Sequence, residues 1–358
     1  MHSEKIALTC AKELATLVAI VVLGEFLLRA IAPDFGHKIF DNKFTGSYEI
    51  ELNVDKYRGQ AYPVRKDPNR LRILTLGDSE TFGTGVAADQ TWPAHLERVI
   101  RKKGTNCDVI NGALEGMSPS DISQALQDKW QAYHPDIVVF GLTAWMVSLA
   151  ATSQTPKSYD SLAARYGEPP TTLARLQVEA GRLFHSIYTV GFISNATQFG
   201  LYWAGLLDHR LKRDFPYGSV VAYGWQQGDI PADHNEIAWS GFEREFVRLS
   251  KLAQSGNAKV VLVWLPPRFD MSPDIRDNLK NVPRERFSMD PVLRANRVAN
   301  VAGAKFVNAL GRLQTLRKEL AASGKPDALY IHFDVGHFDG DGNRAVAEAI
   351  AENTEDLK

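Results

Sequence analysis

The run Leu71-Arg-Ile-Leu-Thr-Leu-Gly-Asp-Ser-Glu-Thr-Phe-Gly83 decides how this chain is read. An apolar, β-branched stretch stops abruptly at Gly77-Asp78-Ser79, the pattern of a buried strand that hands a serine to the loop at its carboxyl end. Open α/β sheets bind ligands at that end, so Ser79 is a candidate nucleophile. A serine nucleophile needs a base. Near the other end of the chain, Asp334-Val-Gly-His337 offers a carboxylate and an imidazole that one loop can hold, the acid orienting the base.

Working outward, strands and helices alternate. Strands are predicted at Arg72–Leu76, Asp108–Ile110, Asp136–Phe140, Ala258–Leu265 and Lys305–Val307. Helices are predicted at Thr91–Lys103, after Ser118-Pro119, near Pro291–Val301 and Leu310–Ser323, and last at Asn343–Glu352. Ser118 is an N-cap with proline in the first turn. This alternation predicts a parallel sheet with helices on both faces. Residues 33–70 read as a linker with one edge strand at Ser47–Leu52. Residues 150–250 break the rhythm and read as a helical insertion or lid.

The early Gly77-Asp78-Ser79 and the late Asp334-x-x-His337, leading into a final helix, resemble the SGNH (GDSL-type) hydrolases over roughly Arg72 to Ile350. The resemblance implies a flavodoxin-like three-layer α/β/α sandwich, here residues 71–352. It also implies Ser79 as nucleophile, His337 as general base and Asp334 as its orienting acid. His332 is the decoy, lacking an acid three residues upstream. Acyl transfer also needs donors for a developing oxyanion. The Ser79 N–H is one by position, and Gly116, in Asn111-x-x-x-x-Gly116, resembles the family's glycine block and is the second.

The third donor departs from the family. Where Gly-x-Asn is usual, this chain has Phe140-Gly-Leu-Thr-Ala-Trp-Met-Val-Ser148. Trp145 or a neighbour takes the asparagine's place; a hydroxyl from Thr143 or Ser148 is one substitute, and the alternatives are a donor from elsewhere, a different acceptor or reaction, or a site that has lost hydrolysis. Thr143, Trp145 and Arg268, which follows Pro266-Pro267 on the same rim, are the expected substrate contacts. Aromatics within 150–250, including Trp239, read chiefly as core or lid packing. Gly83-Thr-Gly85 opens no dinucleotide site, because the strand ends at Leu76. Asp339-Gly-Asp341 fails as a calcium loop at Arg344 and Ile350.

Bulk properties narrow the function. A net charge of −1 carries no polyanion-binding signal. Two cysteines, Cys10 and Cys107, suggest neither a disulfide framework nor a zinc site. No metal or organic cofactor is expected. Leu14–Gly24 is uninterrupted apolar or small, and the window Leu14–Ala32 is long enough for a single uncleaved membrane anchor. Glu25 and Arg29, four apart near its carboxyl end, can pair and reach the interface. The resemblance implies an extracytoplasmic catalytic domain. The expected activity is a serine esterase removing small acyl groups, such as acetyl, from a carbohydrate or other envelope ester. The alternatives are an O-acyltransferase working beside a membrane acyl-donor protein, and a non-catalytic binding or assembly subunit.

Overall fold

The computed structural model describes residues 2–31, 50, 52–150, 155–166, 232–267, 271, 291–323, 329–331 and 337–354. Contacts divide the chain into two units, Met1–Tyr48 with Glu168–Phe215, and Glu49–Gly167 with Pro216–Lys358. In the first unit the described residues form one helix, α1 (His2–Ile31). Leu14, Leu17, Val18, Ile20, Leu23, Phe26 and Leu27 are exposed on it. Among the described residues no helix is long and apolar enough to cross a membrane. The window behind the anchor expectation runs to Ala32, past the last described residue of α1.

The second unit is built on five parallel strands, β1 (Leu71–Leu76), β2 (Cys107–Asn111), β3 (Ile137–Leu142), β4 (Lys259–Trp264) and β5 (Lys305–Asn308). Their order is β2-β1-β3-β4-β5. This is the flavodoxin-like arrangement, in which the chain reverses direction across the sheet between β1 and β3. Each strand is an apolar run because both faces are covered. Leu74, Leu76, Ile110, Val138, Phe140, Val260, Leu262 and Trp264 point to one face. Ile73, Val109, Ile137, Val139, Val261, Val263 and Val307 point to the other.

The first face is covered by α4 (Pro119–Asp128), α7 (Ala232–Ser255) and α8 (Pro291–Val301), through Ile122, Leu126, Phe242, Phe246 and Val298. The second is covered by α3 (Trp92–Lys102), α9 (Leu310–Ala322) and α10 (Gly340–Asn353), through Leu96, Ile100, Leu313, Leu316, Val346 and Ile350. Ser118 and Asp121 form the capping box that starts α4. Three short helices, α2 (Ser79–Phe82), α5 (Ala144–Leu149) and α6 (Tyr159–Ala163), leave the carboxyl ends of β1 and β3 or follow them.

The expected edge strand Ser47–Leu52 lies mostly outside the described residues. In the described end of residues 33–70, Tyr57, Arg58 and Tyr62 are buried, and Arg58 forms isolated bridges with Leu52 and Asn111. The 150–250 insertion ends inside the sandwich. On α7, Phe140 of β3 packs against Phe242 at 5.9 Å and Phe246 at 5.4 Å, and Trp239 packs edge-on to Phe242 at 6.2 Å. Trp239 is therefore core packing. Each such buried aromatic contributes about 1.5–3 kcal/mol.

Arg58 is the unusual element. Its guanidinium is buried, donates to the carbonyls of Phe82, Gly83 and Val86, and lies 4.9 Å from the centre of the Phe82 ring. Burial pulls its pKa down to about 10, so it stays charged at neutral pH. The carbonyls it satisfies close the segment after α2. Replacing Arg58 with Met strands them, and urea unfolding is expected to register a loss of about 2–3 kcal/mol.

Candidate active site

Strand β1 ends at Leu76, and the chain turns within two residues into α2. The turn is this tight because Gly77 has no side chain: a Cβ there, or on Gly141 at the end of β3, would overlap the Thr81 hydroxyl. Thr81 thus fills the notch between the two strand ends. Asp78 caps α2, its Oδ1 accepting from Glu80 N at 3.3 Å. Its other oxygen accepts from Thr143 Oγ1 at 2.6 Å. That contact ties the exit of β1 to the exit of β3, the crevice where the sheet topology places ligands. Asp78 is fully buried. Burial, followed by the charge of Glu80, raises its pKa well above the usual carboxylate range, against the Thr143 hydrogen bond.

Ser79 is therefore the first residue of a helix whose cap, floor and far end are all fixed. Asn111, at the end of β2, donates from Nδ2 to Thr81 O at 3.1 Å and Phe82 O at 3.3 Å, holding the far end of α2.

His337 arrives from the last crossover. Residues 329–331 pair with 337–339: Tyr330 and Phe338 form a bridge, Ile331 N donates to His337 O at 2.9 Å, and Asp339 N donates to Leu329 O at 3.1 Å. Tyr330 Oη donates to Pro266 O at 2.9 Å, pinning this small ladder beyond the end of β4. Asp339 then caps α10, with Oδ1 accepting from Gly342 N at 2.9 Å. The buried Asn343 accepts from Trp92 N at 2.9 Å and donates to Phe338 O at 3.0 Å, joining α10 to α3 and to the ladder.

These constraints converge on one contact. His337 Nε2 lies 2.8 Å from Ser79 Oγ, hydrogen-bonding distance between two residues 258 positions apart. His337 is buried and Ser79 half-buried. The predicted nucleophile and base are brought together. Asp334 and the decoy His332 lie outside the described residues, as does Arg268.

The predicted oxyanion donors fare differently. Gly116 is exposed in the loop after β2, in a left-handed conformation with φ of 69°. Its loop is fastened to the nucleophile turn by Glu115, whose carboxylate accepts from Thr84 Oγ1 at 2.5 Å and Tyr166 Oη at 3.0 Å. Tyr166 stacks on Phe82 at 5.3 Å. Among the described residues neither the Gly116 N–H nor the Ser79 N–H is committed to a protein acceptor. Thr143 requires a correction. It is buried, and its hydroxyl donates its proton to Asp78 and caps α5 by accepting from Met146 N, so that proton is committed within the protein. Ser148 likewise donates inward, to Trp145 O at 2.7 Å. Trp145 itself is 42% exposed.

Glu80 was not singled out from sequence. Its Oε2 accepts from Ser79 Oγ at 3.1 Å and stands 3.9 Å from His337 Nε2. The only signal in the sequence was its place directly after the serine.

No family model matches the chain, and no curated protein does. Among solved structures, the chain is similar to TesA at 12% identity and a TM-score of 0.41, over 80% of this chain and 99% of that one. It is similar to Axe2, an acetylxylan esterase from Geobacillus stearothermophilus, at 13% identity and a TM-score of 0.44, over 80% and 94%. It is also similar to BT4096, a gut microbial diltiazem-metabolizing enzyme, at 14% and 0.44, over 83% and 48%.

Two outcomes follow from the site's construction. A Cβ on Gly342 would overlap Leu329 O and press on Phe338. Gly342→Ala is expected to lower the midpoint of thermal unfolding, costing about 1–3 kcal/mol, and to slow any reaction at Ser79 by displacing the His337 ladder. For Asp78, a folded pKa above the unfolded one means that the folded state holds a proton the unfolded state has lost. Stability therefore falls as pH rises from about 4, the unfolded value, through the folded pKa. Asp78→Asn lacks this segment, so its unfolding free energy is expected to gain on wild type as pH rises across that window, read by urea titrations at several pH values.

Proposed function

We propose that this chain is a serine esterase of SGNH type that removes small acyl groups, such as acetyl, from a carbohydrate or other cell-envelope ester. The observation that carries the reading is the 2.8 Å contact between Ser79 Oγ and His337 Nε2, at the carboxyl edge where the sheet reverses direction. His337 takes the Ser79 proton as Oγ attacks the ester carbonyl. The carbonyl oxygen gains charge and is held by the Ser79 and Gly116 N–H groups. The imidazolium returns its proton to the departing alkoxide, leaving acyl-Ser79, and a water deprotonated by His337 then releases the acid. Asp334 orients the imidazole in this reading.

The same acyl-Ser79 supports O-acyl transfer if a sugar hydroxyl replaces water in the second half. The two differ in acceptor alone. The exposed apolar side chains of α1 support attachment of the protein to a membrane; an extracytoplasmic catalytic domain rests on the resemblance to SGNH hydrolases alone.

The test is turnover of an aryl acetate by the full-length protein. Ser79→Ala and His337→Ala are each expected to lower kcat/KM by at least about 10³-fold with folding intact. Adding mono- and oligosaccharides should leave acetate release unchanged for an esterase and divert acetyl to the sugar for a transferase. Equal turnover by wild type and Ser79→Ala would sink the proposal and leave a binding or assembly role.

A further inference from the structure

Glu80 places a second carboxylate against the nucleophile. Ser79 Oγ carries one proton and has two acceptors in reach, His337 Nε2 at 2.8 Å and Glu80 Oε2 at 3.1 Å. We infer that Glu80 competes with His337 for the Ser79 proton and holds the pair in an unreactive proton arrangement in acid. This rests on the reading of Ser79 as nucleophile.

Two arrangements satisfy the distances. In the first, His337 is protonated, Nε2–H donates to Ser79 Oγ, and Ser79 O–H donates to the Glu80 carboxylate. The imidazolium and Glu80 Oε2 are then 3.9 Å apart, and the serine proton points away from its base. In the second, the imidazolium has lost its Nε2 proton to solvent and Ser79 O–H donates to the bare nitrogen. Glu80 Oε2 then faces Ser79 Oγ with no proton between them, a repulsive contact of two oxygen lone pairs. An ionised Glu80 thus favours the first arrangement twice, by attraction to the imidazolium and by repulsion in the alternative. Once the second forms, the same carboxylate steadies the imidazolium that develops during attack, so its effect lies in the pH at which the pair becomes reactive.

Among the described residues, the other titratable groups near this pair are the following. Asp78, on the same turn, interacts with His337 but sits beneath the helix with its oxygens on Thr143 and Glu80 N. On the segment carrying His337, Tyr330 donates to Pro266 O and Asp339 caps α10. Asp334 lies outside the described residues and is the same in every variant compared. Glu80 N donates to Asp78 Oδ1, so E80Q and E80A keep the cap of α2, while both also remove the Glu80 charge that helps raise the pKa of Asp78.

The experiment is an NMR pH titration of the His337 imidazole in full-length wild type, E80Q and E80A, assigned by the signal missing in H337Q. The pH dependence of kcat/KM on a neutral ester is measured alongside. The expected result is an imidazole pKa lower by about one unit or more in both variants, with the acid limb of activity moved the same way. An imidazole that titrates as in wild type overturns the inference, whatever the kinetics. A shifted imidazole in a protein that turns over no ester supports the proton competition while removing the proposed esterase function.

Discussion

The site depends on one buried carboxyl. Asp78 caps the helix that starts with Ser79 and accepts the hydroxyl proton of Thr143 from the neighbouring strand exit. It adds a side-chain tie between the β1 and β3 exits, just past the last backbone pairing of Leu76 with Phe140. Burying a carboxyl in this position is costly unless it is hydrogen-bonded, and its raised pKa records that cost. The compensation is geometric: a nucleophile held by a cap, by the Thr81 notch and by two side chains, Arg58 and Asn111, gripping the carbonyls at the far end of its helix.

His337 is positioned by a different device. A ladder of one bridge and two hydrogen bonds and the cap of α10 deliver it from the other end of the chain, and Tyr330 and Asn343 fix that ladder to the ends of β4 and α3. The two halves meet in a hydrogen bond that spans 258 residues. Neither half alone is a site, which is why both motifs had to be read together.

Much of this was legible in the sequence. The strands were visible because both-face burial makes them continuous apolar runs, and Ser118-Pro119 announced α4. Ser79 was visible because it stands at a sharp change from apolar run to polar loop, and His337 because an aspartate stands three residues before it in a pattern that resembles the SGNH motif. Arg58 was not, since it lies in a polar stretch whose composition matches a linker and whose value is in carbonyls contributed by Phe82, Gly83 and Val86. Thr143 was misassigned for a related reason: a hydroxyl after a strand looks available until its partner, Asp78, is seen one strand away. Glu80 was not singled out, because its place after the serine says nothing of where its carboxylate turns; in the four-residue helix it reaches Ser79 Oγ. The helix α7 was read as insertion because its buried aromatics are spaced among polar residues and separated from the preceding strand by a long stretch.

The central claim is that Ser79 is activated by His337. It is tested most directly by reacting the folded full-length protein with one equivalent of a fluorophosphonate and mapping the adduct by peptide mass. The predicted result is a single adduct on the peptide containing Ser79, formed far more slowly in His337→Ala. An adduct on another residue, or none on a well-folded protein, would contradict it.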